Sequence, residues 1–348
     1  MKGLLISAAI LIFASLLSLS SIAPRLFYLQ LLWVLVGIGI VAFLWFIDWR
    51  SIVNYEWFVW GLYLGMLLLL AIVLFEEPLV RNVRSWIGVG PLSFQPVEFA
   101  KIALIVVYAS YFSRRYLSIA RLETIFISFI YFVMPAALVI LQPDLGSVLV
   151  LFGIWMGFLI TIGLPLNRLL LLLLTCAVAG VIFWNIGLET YQKERIFGVF
   201  FPERDALGIN YSVIQSKIAI GSAGFWGKGY GQGSQVQLGF LPEAATDFIF
   251  AALIEEWGLV AGFIVVGAFL SLIVNILRIA LKAPRNFEKF VAVGSAFVFG
   301  WQFFLNAGSA SGIFPVVGIT FPFLSYGGSS LLTSFLLLAI VNSIGLRS

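Results

Sequence analysis

Four acidic residues lie close together in a chain that is otherwise poor in charge. They fall within residues 239–262, GFLPEAATDFIFAALIEEWGLVAG, and are Glu243, Asp247, Glu255 and Glu256. Only 16 acidic residues occur among the 348 of the chain. An Asp at the centre of a membrane helix costs about 3 kcal/mol on insertion scales, so carboxylates kept beside long apolar runs indicate a functional site.

Asp247 is the candidate general base of this group. It follows Thr246 and lies among phenylalanine and leucine side chains. Apolar surroundings raise the pKa of a carboxyl group, which makes the group a better proton acceptor near neutral pH. The alternative is structural: Asp247 caps a helix, and Glu255 and Glu256 are charges at the membrane boundary.

A second candidate pair begins another apolar run, in RSWIGVGPLSFQPVEFAKI, residues 84–102. Pro96 and Glu98 suit the first turn of a helix, where proline is tolerated and negative charge favours the helix dipole. Glu98 and Lys101 are three residues apart and therefore lie on one face of that helix. Either the pair is functional, or Glu98 is a helix-start carboxylate beside a lysine that extends towards the lipid headgroups.

The long segment between the seventh and eighth apolar runs contains the candidate cations Arg195, Lys217 and Lys228. They could bind an anionic ligand or only solvate a loop. The glycine-rich run around Lys228 does not match a phosphate-binding P-loop, because Gly229 stands where that motif needs Ser or Thr.

A broken apolar stretch precedes the last run, in FPVVGITFPFLSYGGSS, residues 314–330. Irregular backbone at membrane depth must be buried in protein or line a cavity. Its serines Ser325, Ser329 and Ser330 could bind a ligand or only pair the freed backbone groups.

The composition identifies the class of protein. The chain is 62% hydrophobic and 10% charged, whereas soluble domains are about 25% charged. Apolar runs of about 20 residues without alternation predict membrane-spanning helices. The absence of histidine excludes His metal ligands, His general bases and Ser-His-Asp triads, and a single cysteine excludes an intrachain disulfide. The net charge of +4 reflects basic loops and does not indicate a nucleic-acid surface.

The pattern predicts an all-α integral membrane protein of about ten transmembrane helices, with residues 1–348 as a single polytopic membrane domain. The predicted spans are 3–22, 28–47, 57–75, 96–113, 124–141, 145–161, 169–187, 258–280, 291–310 and 329–346. A large extracytoplasmic loop, 188–257, is predicted between spans 7 and 8.

The short loops predict the orientation of the chain. One side contains Lys2, Arg50, Arg114, Arg115, Arg121, Arg168, Arg278, Lys282, Arg285, Lys289 and Arg347, and the other contains only Arg25, Arg81 and Arg84. The positive-inside rule therefore predicts that both termini are cytoplasmic.

The eighth span requires a break. A continuous helix over 247–281 would be about 52 Å long, against about 30 Å of hydrocarbon. The sequence therefore predicts a short outer helix over 246–256 and a membrane span that starts near Gly258. Thr246 is expected to cap the short helix, with Asp247 in its first turn.

Together these stretches resemble the SEDS family (shape, elongation, division and sporulation), which includes RodA and FtsW. The matching pieces are Arg84-Ser-Trp-Ile, Gln95-Pro-Val-Glu-Phe-Ala-Lys101, Gln142-Pro-Asp-Leu-Gly146, Gln215-Ser216, Gly221-Ser-Ala-Gly, Gly227-Lys-Gly229, Gly233-Ser-Gln235, Phe240-Leu-Pro-Glu-Ala-Ala-Thr-Asp-Phe-Ile-Phe250, Glu255-Glu-Trp-Gly258 and Pro322-Phe-Leu-Ser-Tyr-Gly-Gly-Ser-Ser330. Val97 and Ala223 depart from the family pattern, which usually has serine and glycine there. The lack of a long cytoplasmic tail favours the RodA branch.

The resemblance implies a peptidoglycan glycosyltransferase of the bacterial cytoplasmic membrane. Such an enzyme polymerises lipid II, an undecaprenyl-linked disaccharide-peptide, at the outer face, by inverting transfer and with a class B penicillin-binding protein as partner. The family's essential aspartate corresponds to Asp247, and its glutamate and following lysine correspond to Glu98 and Lys101. The candidate substrate-binding residues are Arg84, Arg195, Gln215, Ser216, Lys228, Thr246, Ser325 and Ser329.

The chemistry of the residues agrees in kind with this function. Polymerisation needs an acceptor hydroxyl to lose its proton and a diphosphate leaving group to be stabilised; without histidine, the base must be a carboxylate. Glu98 is expected to hold Lys101 or an arginine in position, or to help bind a divalent cation such as Mg²⁺ or Mn²⁺. No other cofactor is expected. Glu255→Gln is expected to be tolerated better than changes at Asp247.

Two alternative functions remain open from the sequence. A lipid flippase needs a polar path through the whole bilayer, whereas the charges here cluster at the outer face. A structural scaffold for a penicillin-binding protein leaves Asp247 without a role.

Overall fold

The computed structural model describes residues 2–47, 49–53, 55–75, 85–89, 92–115 and 122–346. Its α-helices are α1 (Lys2–Ile22), α2 (Pro24–Phe46), α3 (Trp49–Val53), α4 (Glu56–Ile72), α5 (Pro96–Arg114), α6 (Leu122–Ile140), α7 (Leu145–Thr161), α8 (Leu166–Ile186), α9 (Thr190–Phe200), α10 (Tyr211–Ser222), α11 (Ser234–Gln237), α12 (Ile249–Lys282), α13 (Asn286–Ala310) and α14 (Gly328–Leu346). Short 3-10 turns cover Val73–Phe75 and Pro202–Asp205. The strands β1 (Ile87–Val89) and β2 (Leu92–Phe94) form an antiparallel hairpin in which Ile87 lies opposite Phe94.

The membrane spans agree with the sequence pattern. Within the described ranges, nine helices are long and apolar enough to cross a membrane: α1, α2, α4, α5, α6, α8, α12, α13 and α14. Helix α7 is a further apolar helix of 17 residues. These helices correspond to the ten predicted spans, so the predicted all-α, multi-pass membrane fold is confirmed. Prolines occupy the first position of α2 and α5, where a missing backbone N–H costs nothing.

Helix α5 lies at the centre of the bundle. It is the most buried span, because 83% of the residues in its apolar 18-residue stretch are buried. The corresponding share is 78% for α14 and 67% for α13, whereas no residue of α8 is buried. Helix α5 packs against α4, α7 and α13, and α14 packs against α2. The polar side chains at the start of α5, Glu98 and Lys101, are therefore enclosed by protein and not by lipid.

Helix α12 is broken at Gly258, as its length predicts. Gly258 has φ 78° and ψ 178°, a conformation that only glycine adopts readily. A Cβ there would lie 2.1 Å from the carbonyl oxygen of Phe225. The loop 224–229 pairs with backbone groups on both sides of the break. These bonds are Leu259 N–H to Gly224, Val260 N–H to Phe225, Lys228 N–H to Glu255 and Gly229 N–H to Glu256.

The start of α12 differs from the prediction. The helix begins at Ile249, and Thr246 and Asp247 lie in the turns that precede it. The carbonyl of Glu243 accepts the N–H groups of both Thr246 and Phe248, so this segment is folded as a compact turn before the helix starts. Thr246 therefore does not cap the helix, and its hydroxyl donates instead to Glu243 Oε2 at 3.1 Å. The predicted first-turn position of Asp247 is also wrong.

Candidate active site

The Glu98–Lys101 pair is buried at the start of α5. Lys101 Nζ lies 2.7 Å from Glu98 Oε2, and the two side chains are only 4% and 7% exposed. Each charge offsets part of the cost of burying the other. Lys101 does not extend to the headgroups, which rules out the alternative that it only snorkels. The ammonium is held at a defined place.

Ser329 joins this helix start to the beginning of α14. The backbone N–H of Gln95 donates to Ser329 Oγ at 3.2 Å, and Ser329 Oγ donates to the carbonyl of Ser93 at 3.4 Å. The hydroxyl therefore bonds both to the β-hairpin and to the residue before α5. Its position is determined by backbone groups on either side of the turn that leads to Glu98.

Asp247 is nearly buried, with 9% of the residue exposed. Its backbone carbonyl accepts a hydrogen bond from Asn306 Nδ2 at 3.0 Å, and the same amide donates to the carbonyl of Ile319 at 2.7 Å. Asn306 lies on α13 and is itself 1% exposed. One buried amide thus holds the Asp247 turn against the broken segment that precedes α14. Asn306 was not among the residues predicted from the sequence, although an Asn inside an apolar span indicates a polar contact.

The broken segment also contacts the residues before Asp247. Ser325 Oγ donates to the carbonyl of Thr246 at 2.6 Å and accepts the N–H of Phe321 at 2.9 Å. The N–H of Tyr326 donates to the carbonyl of Ala245 at 2.9 Å. Burial raises the pKa of the Tyr326 phenol, so this hydroxyl stays protonated at neutral pH and is available as a donor.

Residues 325–329, which end the broken segment and begin α14, therefore bond to two parts of the chain that are distant in sequence. Ser325 bonds to the turn that contains Asp247, and Ser329, four residues later, bonds to the start of the helix that contains Glu98 and Lys101. These bonds place the 311–328 segment against the turn that precedes α12. The hydroxyls of Ser325 and Ser329 are used to pair backbone groups.

The Gln142-Pro-Asp-Leu-Gly146 motif is structural. Asp144 caps α7 by accepting the N–H of Ser147 at 3.0 Å and its hydroxyl at 2.7 Å. It also accepts from the hydroxyl of Ser85, two residues before the hairpin, at 3.3 Å. A Cβ on Gly146 would lie 2.1 Å from the carbonyl oxygen of Val317. Glycine at this position therefore allows the broken segment to pack closely against α7. An Asp three residues before a Ser at a helix start is the sequence pattern of such a cap.

Glu255 is fully buried beneath the loop that follows Lys228. Its Oε1 lies 2.7 Å from Lys228 Nζ and accepts the hydroxyl of Ser234 at 3.3 Å and the N–H of Gln235 at 2.9 Å. Its Oε2 accepts the N–H of Val236 at 3.3 Å. The alternative that Glu255 is a charge at the membrane boundary is therefore wrong.

Glu256 is also buried and bonds to a different part of the chain. It accepts from the hydroxyl of Ser21, at the end of α1, and from the side chain of Gln237 at 3.1 Å. The two adjacent carboxylates thus attach the 228–237 loop and α1 to the short helix that follows Asp247. The boundary-charge alternative fails for Glu256 as well.

The remaining candidates have different surroundings. Arg195 is exposed on α9, where its guanidinium donates to the carbonyl of Val316 at 3.3 Å. Gln215 is half-buried on α10. Ser216 is fully buried, and its hydroxyl donates to the carbonyl of Ala310 at 2.6 Å, so it joins α10 to α13 and is removed from the substrate-binding candidates. Arg84 lies outside the described residues.

The donor set does not fit a resident metal ion. Among the residues that the structure describes, no three acidic, histidine or cysteine side chains lie close enough together to hold one. Mg²⁺ and Mn²⁺ prefer several oxygen ligands, and Glu98 already offsets the charge of Lys101. The expectation that Glu98 helps to bind a divalent cation has no support from these residues, and no step is derived through one.

Comparison with known proteins identifies similar chains. A family model described as cell cycle protein, covering FtsW, RodA and SpoVE, matches residues 2–348. Peptidoglycan glycosyltransferase MrdB of Escherichia coli strain K12 is 39% identical over 292 residues, which are 83% of this chain and 78% of MrdB. Stage V sporulation protein E of Bacillus subtilis strain 168 is 38% identical over 300 residues, 85% of this chain and 80% of that protein.

Solved structures show the same fold. A chain from a peptidoglycan synthase complex that coordinates polymerization and crosslinking is 32% identical, with a TM-score of 0.86, and the match covers 100% of this chain and 98% of that one. The rod shape-determining protein RodA of Thermus thermophilus is 28% identical with a TM-score of 0.75, and the match covers 100% of this chain and 97% of RodA.

Proposed function

The chain belongs to the FtsW/RodA/SpoVE family, the SEDS family, and is a peptidoglycan glycosyltransferase; we propose that it polymerises lipid II with Asp247 as the general base. One observation supports this assignment more than any other. Ser325, just before α14, bonds to the Asp247 turn, and Ser329, in the first turn of α14, bonds to the residue that precedes the Glu98–Lys101 helix. A single site needs its base and its fixed cation to be positioned by the same scaffold.

The reaction proposed for this site is an inverting glycosyl transfer. The oxygen of an acceptor sugar hydroxyl forms a bond to the anomeric carbon of the donor while the bond from that carbon to the lipid diphosphate breaks. The hydroxyl proton passes to the carboxylate of Asp247, and the diphosphate leaves with the electron pair of the broken bond. General base catalysis of this kind is worth about 10²–10⁴ in rate.

The cations of the site are assigned to the diphosphate. Lys101 is held by Glu98 and needs little reorganisation to stabilise the negative charge that develops on the leaving group. Arg195 is exposed beside the broken segment, and Lys228 keeps 26% of its side chain exposed although it is paired with Glu255. Arg84, which precedes the β-hairpin in sequence, stays a candidate of the same kind.

The polar residues of the site are assigned to positioning. Ser325 and Ser329 hold the backbone on either side of the proposed site, and Thr246 is held by Ser325 through its carbonyl. We propose that the three residues act on the substrate mainly by orienting Asp247 and Glu98. Gln215 is proposed as a hydrogen-bonding partner for the sugar or peptide.

Location and partner follow from the same family membership. The chain is a multi-pass membrane protein. We propose that it lies in the bacterial cytoplasmic membrane with both termini in the cytoplasm and the Asp247 site at the outer face. We further propose a class B penicillin-binding protein as its partner, supported by the similar chain from a peptidoglycan synthase complex.

The flippase alternative is less well supported by the interior of the bundle. Helix α5 is apolar or aromatic and buried at every position from Ile102 to Ala109, directly after the Glu98–Lys101 pair. A translocated headgroup would have to exchange water for this surface at a large desolvation cost. The most buried span therefore offers it no polar path.

Replacement of Asp247 tests the proposed base. Asp247→Asn keeps the shape and hydrogen bonding of the side chain but cannot accept the proton, so glycan synthesis should fall by about 10²–10⁴. Asp247→Glu should also be slow, because a displacement of about 1 Å can cost about 10²-fold. The measurement is the rate of glycan formation from lipid II by the purified protein with its cognate penicillin-binding protein, resolved by chain length on a gel.

Glu243→Gln is the matched control, because Glu243 is an exposed carboxylate four residues earlier in the same turn. It should retain activity within a few-fold of wild type. Thermal unfolding and partner binding should be unchanged in Asp247→Asn. Wild-type glycan synthesis by Asp247→Asn would assign Asp247 a structural role and leave Glu98 as the next candidate base.

A further inference from the structure

A polar cavity lies at the end of α5 opposite to the Glu98–Lys101 pair. It has a volume of about 290 Å³ and is lined by α4, α5 and α6. Three charged groups line it: Glu56, Arg114 and Arg115, which sum to one positive charge. Arg114 forms an ion pair with Glu56, and the guanidinium of Arg115 lies 4.7 Å from the centre of the Tyr111 ring.

The wall of this cavity is built from packed aromatic rings. Tyr131 is at their centre, with ring centroids 5.5 Å from Tyr63, 5.9 Å from Trp60 and 5.5 Å from Tyr111, all edge to face. The hydroxyl of Tyr63 donates to the carbonyl of Tyr131 at 3.3 Å. Tyrosine and tryptophan rings of this kind are typical of the boundary between headgroups and hydrocarbon.

A second, apolar cavity continues along the same two helices. Its volume is about 450 Å³, and its described lining is Leu64, Leu67, Leu68, Ala71, Met134, Ala137 and Leu138. On α4 these residues follow Trp60 at intervals of four, seven, eight and eleven residues, and on α6 Met134 and Leu138 follow Tyr131 at three and seven. Such spacing puts each set on one helix face. The two cavities therefore lie on one seam between α4 and α6.

The length of the seam matches one leaflet of a bilayer. From Glu56 to Ala71 the helix rises about 22 Å, which covers a headgroup layer and about 15 Å of hydrocarbon, half of the usual thickness. The charges lie at the membrane edge, the aromatic rings lie next to them, and only apolar side chains follow. This is the order of phosphate, glycerol backbone and acyl chain in a phospholipid.

We propose that the α4/α6 seam binds one anionic membrane phospholipid. Its phosphate contacts Arg114 and Arg115, its glycerol region lies on the tyrosine cluster, and one acyl chain occupies the apolar cavity. Arginine in pockets between transmembrane helices suits phosphate headgroups, because its planar fork donates several charge-assisted hydrogen bonds. The two guanidinium groups in the wall of the cavity favour an anionic lipid over a zwitterionic one, whose ammonium group they would repel. This inference does not depend on the glycosyltransferase assignment.

Native mass spectrometry of the purified full-length protein tests the proposal. The probe is palmitoyl-oleoyl phosphatidylglycerol, titrated into detergent-solubilised protein, with phosphatidylcholine of the same acyl chains as the comparison. We expect one tightly bound phosphatidylglycerol, at about tenfold higher affinity than phosphatidylcholine. Arg115→Gln should lower that affinity by about tenfold, as expected for the loss of one charge-assisted hydrogen bond.

Two further variants test whether binding depends on the position of the charge and on the apolar cavity. Arg278→Gln removes an exposed cation from α12, which does not line the seam, and should leave binding unchanged. Ala137→Phe fills the apolar cavity and should weaken binding without altering any charge. Glycerol phosphate, added in excess, should not displace the lipid.

Several outcomes would overturn the lipid site. Equal binding of the two lipids, or unchanged phosphatidylglycerol binding by both Arg115→Gln and Ala137→Phe, would show only nonspecific association. Displacement by glycerol phosphate as effective as that by intact lipid would indicate a site for a free phosphate. Thermal unfolding of each variant shows whether it is folded before its affinity is compared.

Discussion

At the scale of single residues, the carbonyl of Asp247 and the carboxylate of Glu255 show how this site is held. The first is fixed by Asn306 from α13, and the second accepts hydrogen bonds from Lys228 and from three donors in the loop that follows it. Both groups are buried, and their hydrogen-bond partners restrict the position of each. A buried polar group that loses its partner costs about 1–3 kcal/mol, so small changes here should have measurable effects.

Glu255→Gln should destabilise the protein, whereas the sequence predicted only that it would be tolerated better than changes at Asp247. The neutral amide removes the ion pair to Lys228 and places an NH₂ group near backbone donors, so the loop should detach from the short helix. We expect a loss of about 1–3 kcal/mol in the free energy of unfolding and a parallel fall in glycan synthesis. Glu194→Gln, an exposed carboxylate on α9, is the control. Unfolding of Glu255→Gln at the wild-type denaturant midpoint would contradict the argument.

At the scale of elements, the break in α12 turns one long apolar helix into a short outer helix and a span. The loop 224–229 supplies backbone partners at the break, so the chain loses few hydrogen bonds there. Because the short helix follows Asp247 directly, its direction determines where the turn with the carboxylate can lie. The break therefore links the length of the membrane span to the geometry of the site.

Gly258→Ala should disrupt this link. The residue has φ 78°, and a Cβ would collide with the carbonyl oxygen of Phe225. Strain of this kind costs about 1–3 kcal/mol before the clash is counted. Gly267→Ala in the same helix is the control, because nothing lies within 4 Å of its added Cβ. We expect a lower unfolding temperature and little glycan from Gly258→Ala, and wild-type behaviour from Gly267→Ala. Equal stabilities of the two variants would refute the role assigned to the break.

At the scale of the whole molecule, a buried ion pair closes the end of the bundle opposite to the site. Arg50 Nε lies 2.7 Å from Glu288 Oε1, and Arg50 Nη2 donates to the carbonyl of Ser343 at 2.9 Å. The pair joins α3 to α13 and α14. From the sequence, Arg50 was predicted only to be a cation of a short loop, because its partner Glu288 is more than 200 residues away in the chain.

Breaking this pair should destabilise the bundle without changing the site. Arg50→Met leaves Glu288 as an unpaired buried charge, and we expect a loss of about 3–5 kcal/mol in unfolding free energy. The double variant Arg50→Met with Glu288→Leu should regain most of that loss, because no uncompensated charge remains. Denaturant unfolding of the two variants in detergent measures the difference. Equal stability of the single and double variants would show that the charges are not coupled.

The orientation in the membrane is tested by cysteine labelling. In a Cys176→Ser background, Leu207→Cys should react with an impermeant maleimide from outside the cell, and Asn286→Cys only after the membrane is opened. Both positions are exposed in the structure. The reason is the excess of Lys and Arg in the short loops on the same side of the membrane as the termini. Labelling in the reverse pattern would invert the topology and place Asp247 at the cytoplasmic face.

The sequence alone determined the membrane class, the number of spans and the break near Gly258. Each of these depends on a property of one continuous stretch of sequence. The spans follow from apolar runs as long as the bilayer is thick, and the break follows from a run that is longer than the bilayer. The sequence also singled out Glu98, Lys101 and Asp247, because charged groups are rare beside spans of this kind.

Only the tertiary structure decided which groups are paired. The bonds from Asn306, Ser325 and Gln95 join residues 59, 79 and 234 positions apart, and no local pattern specifies such partners. For the same reason Thr246 was wrongly predicted as a cap: its hydroxyl donates to Glu243 and its carbonyl accepts from Ser325, and these contacts exist together only in the folded chain. Hydrogen bonds are made at about 3 Å, so their partners follow from packing and not from the order of residues.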